Sequence, residues 1–333
     1  MKIGFDAKRF FNNFTGLGNY SRFIIRALSD HVPENDYFLF TPKIRTHPEF
    51  NAILSSQNIR ITTPPALYGF FGATSIWRTW GISKSAEAKS LDIYHGLSQE
   101  LPLNFPDHVK KIVTVHDLIF IRYPHLYKSI DAAIYKAKVK GACSHADRII
   151  ATSQQTKEDV VHFLNADPGK IDVVYQGCHP GFKKKFTADQ ISSIKAKYNL
   201  PRHYILSVGT IEERKNVLLI VKALALLPVD LRMHVIVIGR STDYKKKIID
   251  HAAKLRVSQW ILFLHNISFT DLPAIYQGAE VFVYPSIFEG FGIPIVEALE
   301  SSLPAIAATG SCLREAGGAG AIYVDPENER ELA

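Results

Sequence analysis

Short runs of apolar, β-branched and aromatic residues alternate along the chain with longer stretches in which apolar positions recur every three or four residues. The short continuous runs read as buried strands, and the longer period reads as amphipathic helix. In the first half the strand-like runs are Lys2–Phe5, Tyr37–Thr41, Asp92–His95, Lys111–Val115, Arg148–Thr152 and Ile171–Tyr175. Helical periodicity covers Gly18–His31, Ser129–Ala146 and Gln154–Leu164. The pattern restarts with Tyr204–Val208, His234–Ile238, Ile261–Leu264, Val281–Tyr284 and Ala305–Ala308, and an apolar helix is expected over Val217–Leu227. Such alternation predicts an α/β protein built on parallel sheets. Gly177–Pro201 breaks the pattern with two glycines, two prolines and a lysine triplet. The expected organisation is a domain over 1–180, a linker over 181–201 and a second domain over 202–333.

A length of 333 residues suits two domains of ordinary size. With 47% hydrophobic and 21% charged residues the composition is that of a globular protein, not a disordered one. No apolar run approaches the roughly 18 to 20 residues that cross a bilayer, and the start lacks the apolar core of a signal peptide. The three cysteines, Cys143, Cys178 and Cys312, are scattered without metal-like spacing, so a reducing cytoplasm is the expected location. The net charge of +7 is uneven: residues 1–170 hold 21 Lys and Arg against 15 Asp and Glu, and residues 171–333 hold 18 against 17. A basic first half suits an anionic acceptor or a peripheral contact at the inner face of a membrane. Nucleic acid is a poor fit, because no helix-turn-helix, zinc-finger or RNP signature accompanies the charge.

Chemistry concentrates where strands end. Glu289-Gly-Phe-Gly-Ile-Pro-Ile-Val-Glu297 follows the strand Val281–Tyr284 and places two carboxylates eight positions apart. Gly290 and Gly292 allow close approach of a ligand to backbone, and Pro294 suits the first turn of a helix. Strand, glycine loop and helix N-terminus together form a phosphate site, with Glu297 expected near the first helical turn. The alternative is a lone carboxylate stabilised by the helix dipole. Thr15-Gly16-Leu17-Gly18-Asn19-Tyr20 is a second glycine-rich turn between a strand and a helix, although Ser21 occupies the third glycine position of the dinucleotide pattern. His116 and Asp117 follow an apolar strand, where Asp117 could fix the imidazole tautomer or His116 could cap a turn. Gly209, Thr210, Arg214 and Lys215 leave the first strand of the second half, and the paired cations could stabilise charge on a leaving phosphate. Cations on a helix's first turn would be electrostatically odd, which favours function. His265-Asn266-Ile267-Ser268 follows another strand. Trp77-Arg78-Thr79-Trp80 and Tyr94 to Pro102 could face a sugar or belong to the core. Ser153 and Thr156 suit a helix start.

The E-x7-E spacing, with the strand-end motifs around it, resembles the retaining glycosyltransferases of family 4. That resemblance implies the GT-B fold, two Rossmann-like domains with parallel sheets facing across a cleft. It further implies a nucleotide-diphosphate sugar in the cleft. Glu289, with the amides of Phe291 and Gly292 beside Gly290, would hold the sugar. Glu297 would bind the ribose, Arg214 and Lys215 the diphosphate, and Ile267 the base by its backbone. Gly16, Gly18, Gly209 and Thr210 would line the phosphates, and His116 would reach the sugar hydroxyls. Many relatives carry Arg at the position of Thr210, so Arg214 and Lys215 must supply that charge here. No D-x-D pair marks a metal, so no metal and no cofactor are expected. The HDL and HGLSQELP segments are most similar to mannosyl- or related hexosyltransferases, which favours GDP-mannose as donor and a glycan or lipid-linked saccharide as acceptor. Tyr94 to Pro102, with Trp77 to Trp80 upstream, resembles the acceptor side of such enzymes, which makes 1–180 the acceptor-side domain. Relatives usually continue for several more helices, the last returning to the first domain, so the C-terminus looks short. A sugar-nucleotide epimerase, a phosphorylase or a weak nucleotide-sugar binder are the alternative readings.

Overall fold

Each run expected as a strand forms one, within a residue at most ends, in a computed structural model that describes residues 1–68 and 73–333. The first sheet contains β1 (Lys2–Asp6), β2 (Asp36–Phe40), β3 (Ile59–Thr62), β4 (Ile93–Gly96), β5 (Lys110–Val115), β6 (Arg148–Ala151) and β7 (Ile171–Val173). Its strands are parallel and ordered 3-2-1-4-5-6-7. The second sheet contains β8 (Tyr204–Val208), β9 (His234–Ile238), β10 (Ile261–Leu264), β11 (Val281–Tyr284), β12 (Ala305–Ala308) and β13 (Ala321–Val324), ordered 10-9-8-11-12-13, again parallel. Two strands, β3 and β13, escape the hydrophobic reading. Both lie at sheet edges: β3 alternates apolar and polar residues, as an edge strand can, whereas β13 is apolar throughout but only four residues long and follows a glycine-rich turn.

The two sheets share one winding. Each starts in the middle, runs outward to one side, then returns to build the other. The order therefore reverses beside β1 and β4 in the first sheet and beside β8 and β11 in the second. Crevices at the carboxyl ends of strands at such a reversal are the usual binding places of open α/β sheets.

The chain divides at Gln176 and Gly177 into two units. Residues 181–201, expected as a linker, are packed into the second unit instead. Phe182 is fully buried with its ring 5.3 Å from that of Tyr276, and Ile194, Tyr198 and Leu200 pack on the same core. The segment holds the helix Ala188–Lys197, opened by a capping box between Thr187 and Gln190. Its glycines and prolines punctuate turns; they do not mark a free tether.

The helices bury the faces their periodicity implies. Val217–Leu226 is apolar almost all round and buries Val217, Leu219, Ile220, Val221 and Leu224. Full burial of each such aliphatic side chain contributes about 1.5–3 kcal/mol. The helix Gln154–Leu164 starts as expected at Ser153, whose Oγ accepts the Thr156 amide at 3.0 Å. No helix of the described residues is long and apolar enough to cross a membrane.

Candidate active site

In the second unit the reversal point carries the charge. The turn Glu213–Lys215 follows β8, and the loop Pro285–Gly292 follows β11. Two contacts staple them: the Ile287 amide donates to the Arg214 carbonyl at 2.9 Å, and the Arg214 guanidinium donates to the Phe288 carbonyl at 2.5 Å. Arg214 and Lys215 were expected between the first strand of the second half and the apolar helix from Val217, a first-turn capping pair being the alternative. They lie on a 3₁₀ turn before it, with Asn216 in the left-handed conformation starting the helix proper. They stand just ahead of the helix N-terminus, where Glu212 and Glu289 offset the unfavourable dipole.

Glu289 is the hub. Its Oε1 accepts from Lys215 at 2.5 Å, Ser286 at 2.5 Å and Tyr284 at 2.9 Å, and lies 2.8 Å from Arg214 Nη1. Lys215 also donates to the Tyr284 hydroxyl at 2.5 Å. Arg214 is shared with Glu212 at 2.7 Å. Burial alone would raise the Glu289 pKa, but the two cations and the hydroxyl donors outweigh it and hold the carboxyl down at about 2. Burial lowers the pKa of Lys215, Glu289 pulls it up, and Arg214 lowers it again. Glu289 Oε2 has no hydrogen bond among the described residues. The arrangement is a buried, preorganised carboxylate with one oxygen saturated and two adjacent cations held in place.

Glu297 is the fifth residue of the helix Ile293–Glu300, at the end of its first turn. Its Oε2 accepts from the Tyr276 hydroxyl at 2.9 Å, and burial among apolar neighbours pushes its pKa up to about 7. The two carboxylates of the E-x7-E segment thus differ by environment: one is fixed as an anion by cations, the other is poised near neutrality by desolvation. Tyr276, Phe282 and Tyr284 form a run of rings beneath them, with centroid distances of 5.3 and 5.8 Å.

The glycines around this site have distinct reasons. Gly292 has φ +113°, and a Cβ there would lie 3.1 Å from Leu313 and 3.3 Å from Ala316. Gly209 has φ +153° and lies under the Lys215 stem, while its carbonyl passes so close to Gly239 that a Cβ on Gly239 would meet it at 1.8 Å. Thr210 follows, half-buried. Gly290 and the buried Phe291 span the acidic loop, which the next strand's exit holds in place. Ser311 accepts the Glu289 amide at 3.1 Å, and the Cys312 thiol reaches the Phe291 carbonyl at 3.1 Å. Ile267 follows Asn266, a left-handed residue at φ 56°, and packs partly buried on the core. The supporting donors Tyr284, Ser286, Tyr276 and Ser311 were not legible beforehand, because hydroxyl residues near strand ends serve turns as readily as sites.

In the first unit His116 follows β5 and is buried. Its Nε2 donates to the Leu97 carbonyl at 2.8 Å and its Nδ1 accepts from Gln176 at 3.0 Å, so these two groups set the tautomer. The role expected of Asp117 therefore passes to them. The Asp117 carboxylate accepts the Ile119 amide at 3.1 Å, as a turn cap does. Burial lowers the His116 pKa to about 4, leaving a neutral imidazole across the ordinary pH range. Tyr20 packs edge-on at 4.6 Å, and Thr152 and Thr156 donate to the His116 carbonyl at 2.9 and 3.2 Å. The helix was expected to start at Gly18, after a loop holding Gly16; it starts at Gly16, so both glycines lie in its first turn. Gly18 is fixed by packing, since a Cβ would lie 1.8 Å from the Asn13 carbonyl. A Cβ on Gly16 would meet no atom within 4 Å, so packing gives it no reason to be glycine.

Comparison with known proteins agrees with this geometry. A family model described as Glycosyltransferase Family 4 matches residues 14–181, and one described as Glycosyl transferases group 1 matches residues 190–333. The chain is 26% identical over 242 residues to O-antigen chain mannosyltransferase B of Escherichia coli, covering 71% of this chain and 62% of that protein. It is 31% identical over 218 residues to O-antigen chain mannosyltransferase RfbU of Salmonella typhimurium, covering 66% of this chain and 57% of the relative. The chain thus spans about three-fifths of the length of these relatives. Among solved structures, Anabaena Alr3699/HepE in complex with UDP-glucose superposes with a TM-score of 0.72 at 17% identity, covering 100% of this chain and 88% of the other. WaaG, a glycosyltransferase involved in lipopolysaccharide biosynthesis, superposes with 0.72 at 15% identity, covering 100% and 89%. The fold is GT-B, and with a family model spanning half of its residues the chain belongs to the family 4 glycosyltransferases.

Proposed function

We propose that the chain is a retaining glycosyltransferase that moves mannose from GDP-mannose to the saccharide end of a glycan or lipid-linked acceptor. The observation that carries this reading is the convergence of Arg214, Lys215 and Glu289 at the reversal point of the second sheet. The cations suit a diphosphate, on which negative charge grows as the glycosidic bond breaks. Glu289 Oε2 is the acceptor left for a sugar hydroxyl, Glu297 serves the ribose, and the Ile267 backbone serves the base. Gly290, Phe291, Gly292, Gly209 and Thr210 supply close backbone around the phosphates. In the first unit, His116 offers a neutral imidazole to sugar hydroxyls and Gly16 offers unobstructed backbone.

The crowding of Glu289 Oε1 supports front-face displacement over a covalent glycosyl-enzyme. A carboxylate whose pKa is held at about 2 is a weak nucleophile. The acceptor oxygen then bonds to the anomeric carbon on the face from which the phosphate oxygen departs. The acceptor proton passes to that phosphate, and the products are the nucleoside diphosphate and a glycoside of unchanged configuration.

The relatives named as mannosyltransferases support mannose as the transferred sugar. The helix Ser129–His145 exposes Ile130, Ile134 and Tyr135 beside Lys136 and Lys140, which supports a peripheral contact with an anionic lipid surface on the cytoplasmic side.

Calorimetric titration with GDP-mannose, UDP-glucose and UDP-N-acetylglucosamine tests the donor. GDP-mannose is expected to bind most tightly, and preference for a uridine nucleotide would reject the guanine assignment. Turnover of the donor without an acceptor would indicate an epimerase.

The ribose role of Glu297 has a pH signature. Its native pKa of about 7 lies above the ordinary 4.5, so its contribution to stability is present below pH 4.5 and is lost as pH rises through about 7. Ribose hydroxyls donate best to the ionised form, whereas a diphosphate diester keeps its charge throughout. Donor affinity is therefore expected to rise by up to about tenfold from pH 6 to pH 8. Glu297→Gln keeps an acceptor for Tyr276 and should flatten the profile; a flat profile in the unaltered protein would remove Glu297 from the ribose.

A further inference from the structure

The carboxylate of Glu289 is only as well placed as the backbone that carries it, and the next strand's exit grips that backbone. Strand β12 lies beside β11 in the second sheet, and the turn after it, Gly310 to Cys312, runs against the acidic loop. Ser311 Oγ accepts the Glu289 amide at 3.1 Å and donates to the Glu289 carbonyl at 3.0 Å. The Cys312 thiol lies 3.1 Å from that carbonyl and 3.1 Å from the carbonyl of Phe291. Two adjacent residues thus hold both backbone groups of Glu289 and the Phe291 carbonyl. Beyond them, Leu313 and Ala316 close against Gly292, where a Cβ would lie at 3.1 and 3.3 Å.

Ser311 stands there against its backbone preference. Its φ is +54°, a left-handed conformation uncommon for residues other than glycine, asparagine and aspartate. Gly310 beside it, at φ +86°, is the residue type that such a conformation favours. Strain of this kind persists only where the surroundings hold it, and it gathers at functional sites. The side chain that brings the strain is the one that makes both bonds to Glu289.

The thiol suits its place as well. Cys312 is fully buried, and burial pushes its pKa up to about 12, so it keeps its proton and donates between the two carbonyls. Across a trans peptide the C=O of one residue and the N–H of the next point in opposite directions. A Phe291 carbonyl turned onto Cys312 therefore turns the Gly292 amide away from it. We propose that Ser311 and Cys312 are positioning residues: together they clamp the acidic loop so that Glu289 Oε2 and the Gly292 amide stand where the donor sugar is held, a role that rests on the transferase reading above.

Glycine at position 311 separates positioning from stability, because it removes the hydroxyl and the strain together. Ser311→Gly should leave the melting temperature unlowered, whereas Ser311→Ala keeps the strain without the bonds and should lower it by about 2–4 °C. In calorimetric titration both variants should weaken GDP-mannose by about tenfold and GDP by less than about threefold, since Arg214 keeps Glu212 and the Phe288 carbonyl. Cys312→Ala should weaken GDP-mannose by about threefold or more, and Cys312→Ser, which preserves a donor for both carbonyls, should restore the parent affinity. Hydrogen exchange read by mass spectrometry on the ligand-free chain should run about tenfold faster over residues 288–292 in Ser311→Gly, with the rest of the second unit unaltered. Affinity losses that follow the melting temperature, equal losses for GDP and GDP-mannose, or parent-like exchange over 288–292 would overturn the assignment. Faster exchange over 288–292 in the variant, with no binding of GDP-mannose by the parent protein, would leave the clamp standing and reject the donor assignment.

Discussion

Replacing Lys215 with alanine is expected to weaken binding of the nucleotide-diphosphate sugar by about 100-fold, equivalent to about 2.7 kcal/mol. The Lys215 side chain is only 14% exposed, and its ammonium already holds its working position against Glu289 and Tyr284. A diphosphate oxygen entering beside Glu289 would gain a charge-assisted bond from a group that pays little to be oriented, and such bonds contribute about 1.5–3 kcal/mol. The fold should survive. Glu289 retains Arg214, Ser286 and Tyr284, so no buried charge is left unpartnered. Isothermal titration of the variant with GDP-mannose and with the free sugar separates the contributions. Unchanged affinity for the diphosphate would remove Lys215 from the site, and an equal loss for the free sugar would mean that the pocket itself had collapsed.

Glu289→Gln should act in the opposite sense on binding and strongly on turnover. The neutral amide releases Arg214 and Lys215 from their shared carboxylate, so diphosphate affinity should be kept or rise. Transfer should fall by about 100- to 1,000-fold, the usual cost of deleting a preorganised electrostatic partner. Initial rates with acceptor saturating, set beside the binding constant, test this split; full transfer in the variant would discard the assignment. Its acid stability provides a second readout. The native pKa of Glu289, about 2, lies below the ordinary 4.5, so the carboxylate's stabilisation is present above pH 4.5 and is lost as pH falls toward 2. Melting temperature against pH should show that limb in the parent protein and a shallower one in the variant.

Much of this could be read from residue order. The strands were legible because a strand buried on both faces must be apolar along its whole length; β3 escaped because its apolar and polar residues alternate at a sheet edge, and β13 because four apolar residues after a glycine-rich turn are too short a run to stand out. The span 181–201 misled for a related reason. Glycine, proline and lysine signal a turn, but only the burial of Phe182 and the capped helix after Thr187 show that the turns fold back onto a core. Gly16 was preferred over Gly18 as a ligand-facing glycine, but the spacing could not show that only Gly18 lies close enough to another backbone segment, at Asn13, to exclude a side chain.

Sequence by itself determined the α/β class, the two-part organisation and the strand ends at which Arg214, Lys215, Glu289, Glu297 and His116 would stand, because these follow from local periodicity and spacing. Only the tertiary structure decided how those groups behave. Glu289 is an anion held by two cations and Glu297 titrates near neutrality, although both are glutamates of one short motif. His116 is a neutral imidazole fixed by Leu97 and Gln176, residues 19 and 60 positions away along the chain. Charge state depends on the dielectric and the partners that folding brings from distant positions, and neither is encoded in spacing along one segment.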